Sequence, residues 1–81
     1  DQKVIIHKSM ALAAQNFMLS MSEIGYDTCP MEGSDTTRVK KILKLPRKAE
    51  INMIIGCGIR SEKGVYTERF RVPLEDVYRK I

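Results

Sequence analysis

Arg69 and Arg71 stand two residues apart near the C-terminal end of this 81-residue chain. On an extended segment, residues i and i+2 share one face about 6.5–7 Å apart. Both guanidinium groups can then converge on one phosphate, with bidentate geometry available to each. The same spacing fits an exposed strand face equally well. The second stretch with chemical capacity is Cys29-Pro30-Met31-Glu32-Gly33-Ser34-Asp35. Proline lacks an N–H and fixes φ, and glycine is permissive, so an irregular loop is expected here. Its backbone N–H groups need partners. A loop that leads into a helix start can hold a polar ligand through its main chain; it can also be a plain connection, and the stretch alone does not choose.

The other reactive side chains carry less. His7 is the only histidine, and no Ser, Cys or carboxylate motif stands beside it, which argues against a general base. Cys29 and Cys57 have no metal-ligand spacing, and two thiols do not make a disulfide scaffold. They read as free thiols of a reducing, cytoplasmic protein, packed as small hydrophobes. Gly56-Cys57-Gly58 is too short for a dinucleotide fingerprint, and no helix pattern follows it. No metal site is expected.

Composition narrows the class. The net charge is +4, but acidic residues are interspersed with the basic ones. Only two basic residues flank Phe70 and no aromatic stacking platform is visible, so no nucleic-acid partner is expected. No apolar run reaches the length of a membrane span. A chain of this length is one small domain at most and is marginal without support. It begins at Asp1 and enters a strong helix pattern at once, as a cut inside a longer protein would.

The elements that must position these groups follow from periodicity. A helix is expected from about Gln2 or Lys3 to Ile24, stopped by Gly25. Ile6, Met10, Ala13, Ala14, Phe17, Met21 and Ile24 form one apolar arc, widened by Ala11 and Met18. Leu12 and Leu19 form a second strip. A helix apolar on two sides is covered on two sides, so further chain, a partner subunit or both are expected. Gln15 and Asn16 read as surface or interface amides. Ser34 or Asp35 should cap a helix from Thr36 to about Leu45, with Val39, Ile42 and Leu43 buried and Arg38, Lys40, Lys41 and Lys44 solvated. Pro46 ends it.

Residues 50–59 read as a central strand, with Ile51, Met53, Ile55, Cys57 and Ile59 on one face. Gly56 and Gly58 lie on the other, where they admit a close backbone, a bulge or a ligand. Ser61-Glu62-Lys63-Gly64 is a turn. Val65 to Val72 then alternates as a strand, with Tyr66, Phe70 and Val72 opposite Thr67, Arg69 and Arg71. Leu74 to Ile81 is a tail, either a helical turn or an extended arm.

In this order the features resemble a family. Ala14-Gln15-Asn16-Phe17-Met18-Leu19 is followed by Gly25, Pro30-Met31-Glu32-Gly33, Leu45-Pro46, an apolar strand ending Gly-x-Gly-Ile, and Arg-x-Arg-x-Pro. This looks like the C-terminal half of an FMN-dependent nitroreductase-like protein, and the likeness covers essentially the whole chain. The resemblance implies an α+β fold: residues 1–81 would be a single partial domain of a nitroreductase-like sandwich lacking its N-terminal half, with two helices, a central antiparallel strand pair and an extended tail. It implies that Pro30, Met31, Glu32 and Gly33 pass the flavin ring, with Glu32 acting through its main-chain N–H, and that Arg69 and Arg71 hold the FMN phosphate. No side chain is catalytic, since the flavin carries the chemistry. It further implies NAD(P)H as electron donor, a nitroaromatic, quinone or similar acceptor, and a homodimer with the flavin at its interface. Ser34 departs from the family's frequent aromatic residue and opens that side. With the other half absent, the chain alone is not expected to be a competent enzyme. The alternative is a non-catalytic basic α+β module that docks to a protein partner.

Overall fold

The computed structural model describes all residues, Asp1–Ile81. Helix α1 runs Gln2–Glu23, strand β1 Asp27–Met31, helix α2 Thr36–Ile42, strand β2 Ile54–Gly58 and the single-turn helix α3 Leu74–Val77. β1 and β2 pair antiparallel across the α2 connection, with Asp27 opposite Gly58, Cys29 opposite Gly56 and Met31 opposite Ile54. α1 packs against β1.

Both ends of α1 are built as its sequence dictates. The Asp1 side chain accepts a hydrogen bond from the Lys3 N–H (3.0 Å) at the N-terminus. At the other end Gly25 adopts φ +90°. The Tyr26 N–H then donates to the Met21 carbonyl and the Gly25 N–H to the Ser22 carbonyl, the paired closure of a Schellman motif. The inward face of α1 is rotated from the expected arc: His7, Ala14, Met18 and Met21 are its half-buried residues.

Three expectations are corrected. First, the stretch from Cys29 is not wholly irregular, because Cys29, Pro30 and Met31 complete β1. In a two-stranded sheet every strand is an edge, where proline is tolerated because its missing N–H removes no bond on the solvent side. Second, the central strand is only Ile54–Gly58, and its partner is β1. Val65–Val72 forms no strand, since an alternating segment needs a neighbour to satisfy its backbone. Third, α2 stops at Ile42, because Lys44 turns left-handed (φ 56°) and Leu45 N–H closes on the Lys40 carbonyl. Of its expected buried edge only Val39 is half-buried, and Ile42 is 71% exposed. The 61–64 turn forms as expected, with Gly64 N–H donating to the Ser61 carbonyl at 3.0 Å.

No residue of the chain is buried. The second apolar strip of α1 lies in the open, with Leu12 72% and Leu19 59% exposed.

Candidate functional site

β1 ends at Met31, and the chain is next engaged when the Asp35 carboxylate accepts from the Arg38 N–H (3.2 Å) to start α2. Between these anchors lie Glu32, Gly33 and Ser34. None of their N–H groups has a hydrogen-bond partner within the chain. Glu32 and Gly33 are exposed. A Cβ on Gly33 would meet nothing within 4 Å, and its φ lies outside the left-handed region. The loop therefore holds three consecutive main-chain donors without a partner in the chain, two of them on exposed residues. The irregular part of the predicted loop is these residues, with Pro30 and Met31 supplied by the strand before them.

The register places Asp27, Cys29 and Met31 on the same sheet face as Gly58, Gly56 and Ile54. That face borders a cleft of about 400 Å³, lined in part by Asp27, Cys29, Gly56, Gly58 and Arg60. Gly56 already meets Met31 Cε (3.7 Å from an added Cβ), whereas Gly58 has open space. Of the two glycines on the predicted glycine face, only Gly58 leaves room for a further group.

Arg60 closes one side of this cleft. Its Nε (3.0 Å) and its terminal nitrogen (2.7 Å) both reach Asp27 Oδ1. Its backbone N–H donates to Oδ2 (3.0 Å). These hydrogen bonds, helped by the guanidinium charge, hold the Asp27 carboxyl below the usual carboxylate range and push Arg60 upward. The pair fixes the chain as it leaves β2. Sequence reasoning missed it because Asp27 and Arg60 are 33 residues apart and no local spacing links them.

A second tether binds α1 to the approach to β2. The Asn52 side-chain amide donates to the His7 carbonyl (3.1 Å) and to His7 Nδ1 (3.1 Å). The carbonyl can only accept, so the amide nitrogen must face it and Nδ1 accepts as well. His7 thus has a structural use. Nearby, Lys3 Nζ lies 3.1 Å from Glu50 and draws the Glu50 carboxyl below its ordinary range.

Arg69 and Arg71 are not brought to the loop. Neither makes an ion pair, and the only hydrogen bond of the two runs from Arg71 to the neighbouring Phe70 carbonyl (3.4 Å). Both are exposed on the unpaired segment after the turn, and neither guanidinium meets a carboxylate. None of the helices is long and apolar enough to cross a membrane.

Comparison with known proteins places these features. The chain is 36% identical over 66 residues to protein DrgA of Synechocystis, covering 82% of this chain and 31% of that protein. It is 36% identical over 69 residues to MhqN of Bacillus subtilis, which carries the name NAD(P)H nitroreductase, covering 85% of this chain and 34% of that one. The chain thus spans about a third of the length of these relatives. Among solved structures, a B. subtilis nitroreductase, ydfN, superposes with a TM-score of 0.79 at 34% identity over 88% of this chain and 34% of its own. An NAD(P)H:FMN oxidoreductase from Staphylococcus epidermidis superposes with a TM-score of 0.86 at 25% identity, covering 98% of this chain and 37% of its own. The two-stranded α+β arrangement is therefore a piece of that fold. The Nitroreductase family model matches residues 1–59, a span running from α1 through β2 with the donor loop inside it, and the chain belongs to the Nitroreductase family.

Proposed function

We propose that this chain is the flavin-edge portion of an FMN-dependent NAD(P)H oxidoreductase. The observation that carries the reading is the loop of free main-chain donors. The N–H groups of Glu32, Gly33 and Ser34 have no partner within the chain, and they lie on a loop held at both ends by β1 and the Asp35 cap. A flavin ring presents acceptor nitrogens and oxygens along its edge, so a row of preorganised donors fits it. In this reading Pro30 and Met31 set the entry of the loop and Glu32 donates through its backbone. Arg69 and Arg71, which make no ion pair in the chain, hold the phosphate. The chemistry supplied by FMN when bound is two-step transfer, from NAD(P)H to a nitroaromatic, quinone or similar acceptor. The protein's part is to orient the ring and bias its electronics through the donors at residues 32–34. The name of the S. epidermidis structure supports FMN and NAD(P)H as the cofactor pair.

The partner in this proposal is a second copy of the protein, with the flavin at the interface. Leu12 and Leu19 on the uncovered side of α1 support it, since a helix with apolar residues in the open needs cover. Cys29 and Cys57 are exposed and not packed as the small hydrophobes expected from sequence; as free thiols they support a cytoplasmic setting.

The test is the absorption spectrum of the full protein. Flavin bands that co-purify, or appear when FMN is added, are expected; a colourless protein that takes up no FMN overturns the reading. Reversing both charges, Arg69→Glu with Arg71→Glu, should abolish flavin retention, and unchanged retention would remove these residues from the site.

A further inference from the structure

The cationic residues are unevenly distributed along the chain. Residues 36–48 hold Arg38, Lys40, Lys41, Lys44, Arg47 and Lys48 and no acid. That is +6 in thirteen residues, against 8 cations and 10 acids, or −2, in the rest of the chain, which sums to the net +4. The fold gathers four of these around one cleft of about 470 Å³, lined by Thr37, Lys40, Lys41, Lys44, Leu45 and Arg47. No acidic side chain lines it.

Cations at a helix C-terminus ordinarily serve the helix by meeting its last carbonyls. Here three of those carbonyls, Val39, Lys40 and Lys41, are already met by backbone. Leu43 N–H donates to Val39 (3.0 Å), Leu45 N–H to Lys40 (2.9 Å) and Lys44 N–H to Lys41 (3.2 Å). Lys40 is spent elsewhere: its Nζ donates to the Arg47 and Ala49 carbonyls, both at 3.2 Å. That pins the 46–49 turn, itself closed by Ala49 N–H on the Pro46 carbonyl (3.0 Å), against α2 and builds the cleft wall. What remains is the Thr37 hydroxyl, two ammonium groups and a guanidinium, none with a counter-charge, since the chain's ion pairs are Lys3–Glu50 and Arg60–Asp27. Lys44 also holds φ 56°, where glycine would sit without steric cost. Lys44 nevertheless lines the cleft beside Lys41 and Arg47.

We propose that this cleft binds a phosphate-class polyanion, with Lys41, Lys44 and Arg47 supplying charge-assisted hydrogen bonds and Thr37 a neutral one. Free pyrophosphate and the 2′-phosphate of a dinucleotide share that chemistry. The site shares no residue with Pro30–Gly33 or Arg69 and Arg71, so it stands or falls apart from the flavin reading.

The test is calorimetric titration of the full protein at low and moderate salt with inorganic pyrophosphate and, separately, with adenosine 2′,5′-bisphosphate. Saturable binding of at least one is expected, and the tighter of the two names the source. Lys41→Glu should weaken it at least about tenfold. Lys44→Gly should weaken it while raising the thermal midpoint, which separates loss of a ligand contact from loss of fold. Lys63→Glu, an equal change of net charge on the distant turn, should leave binding within about twofold. Absence of binding at millimolar anion overturns the proposal, as does equal weakening by Lys63→Glu. Tighter binding of duplex DNA with a steep salt dependence also overturns it in favour of an extended nucleic-acid surface.

Discussion

At the scale of single residues, the site is organised by groups that act through the backbone or on it. Glu32 is the clearest case. If its main-chain N–H is the functional donor, Glu32→Gln should leave flavin retention and turnover of the full protein within about threefold. Glu32→Pro, which deletes the donor, should cost at least about tenfold; equal losses in the two variants would move the function to the carboxylate. Asp27 acts on the backbone directly, by accepting from both the side chain and the N–H of Arg60. Its carboxyl is depressed in the folded state, so its contribution is complete above the unfolded value, about pH 3.9. It fades as pH falls below that through the lower folded-state value. The acid limb of thermal stability should therefore flatten in Asp27→Asn, and a limb unchanged by the substitution would remove Asp27 as its source. Asn52 is the third such residue. Its amide serves two acceptors on His7, and its own Oδ1 is buried without a partner. Asn52→Ala should destabilise by about 1–2 kcal/mol in chemical denaturation.

At the scale of elements, α1 and α2 end by the same device with opposite chemistry. Each closes with paired bonds from the two residues after its cap. In α1 the left-handed position is Gly25 and in α2 it is Lys44. Left-handed backbone costs an L-residue roughly 1–2 kcal/mol. Gly25→Ala should accordingly lower stability by about 1 kcal/mol and Lys44→Gly should raise it by a similar amount, read as shifts of thermal midpoint in opposite directions. α1 was legible to within a residue because its capping residues and length are local signals. α2 was overextended because nothing in Lys44 announces a left-handed turn; only closure of the following loop onto Lys40 imposes it. The strands were the least legible. Period-2 alternation marked Val65–Val72, yet that segment is unpaired, and the proline-bearing stretch at 27–31 is the one that pairs. Alternation describes which way side chains point, and pairing depends on where a second strand lies.

At the scale of the whole molecule, the arrangement is open. A folded monomer of 9.3 kDa exposes about 5,000 Å², and this chain exposes 7995 Å². Its radius of gyration is 16.1 Å, against roughly 12 Å for a compact chain of this length. The surplus of about 3,000 Å² exceeds what one side of a standard protein interface covers, about 800 Å². The chain spans about a third of its relatives, and nothing within these 81 residues covers the apolar faces of α1 and the tail. In the full protein, Leu12→Arg with Leu19→Arg should break that cover. The expected outcome is a loss of the proposed dimer, or of soluble protein, in size-exclusion chromatography with light scattering. A dimer unchanged by both substitutions would place Leu12 and Leu19 outside the interface.

Local sequence is enough for α1 with its Gly25 stop, the Asp35-capped start of α2, the turn at 61–64 and the family, because each rests on residues close together in the chain. The whole stretch Cys29–Asp35 stood out as a loop whose backbone donors need partners, and the structure narrows it to 32–34. Only the tertiary structure decided that Pro30 and Met31 belong to a strand and that Asp27 holds Arg60. It alone decided that Asn52 ties His7 to the sheet approach and that the lysines after Thr36 close around a cleft. Those are contacts between residues far apart in sequence or across a loop closure, and their geometry follows from how the elements pack, which no local spacing encodes.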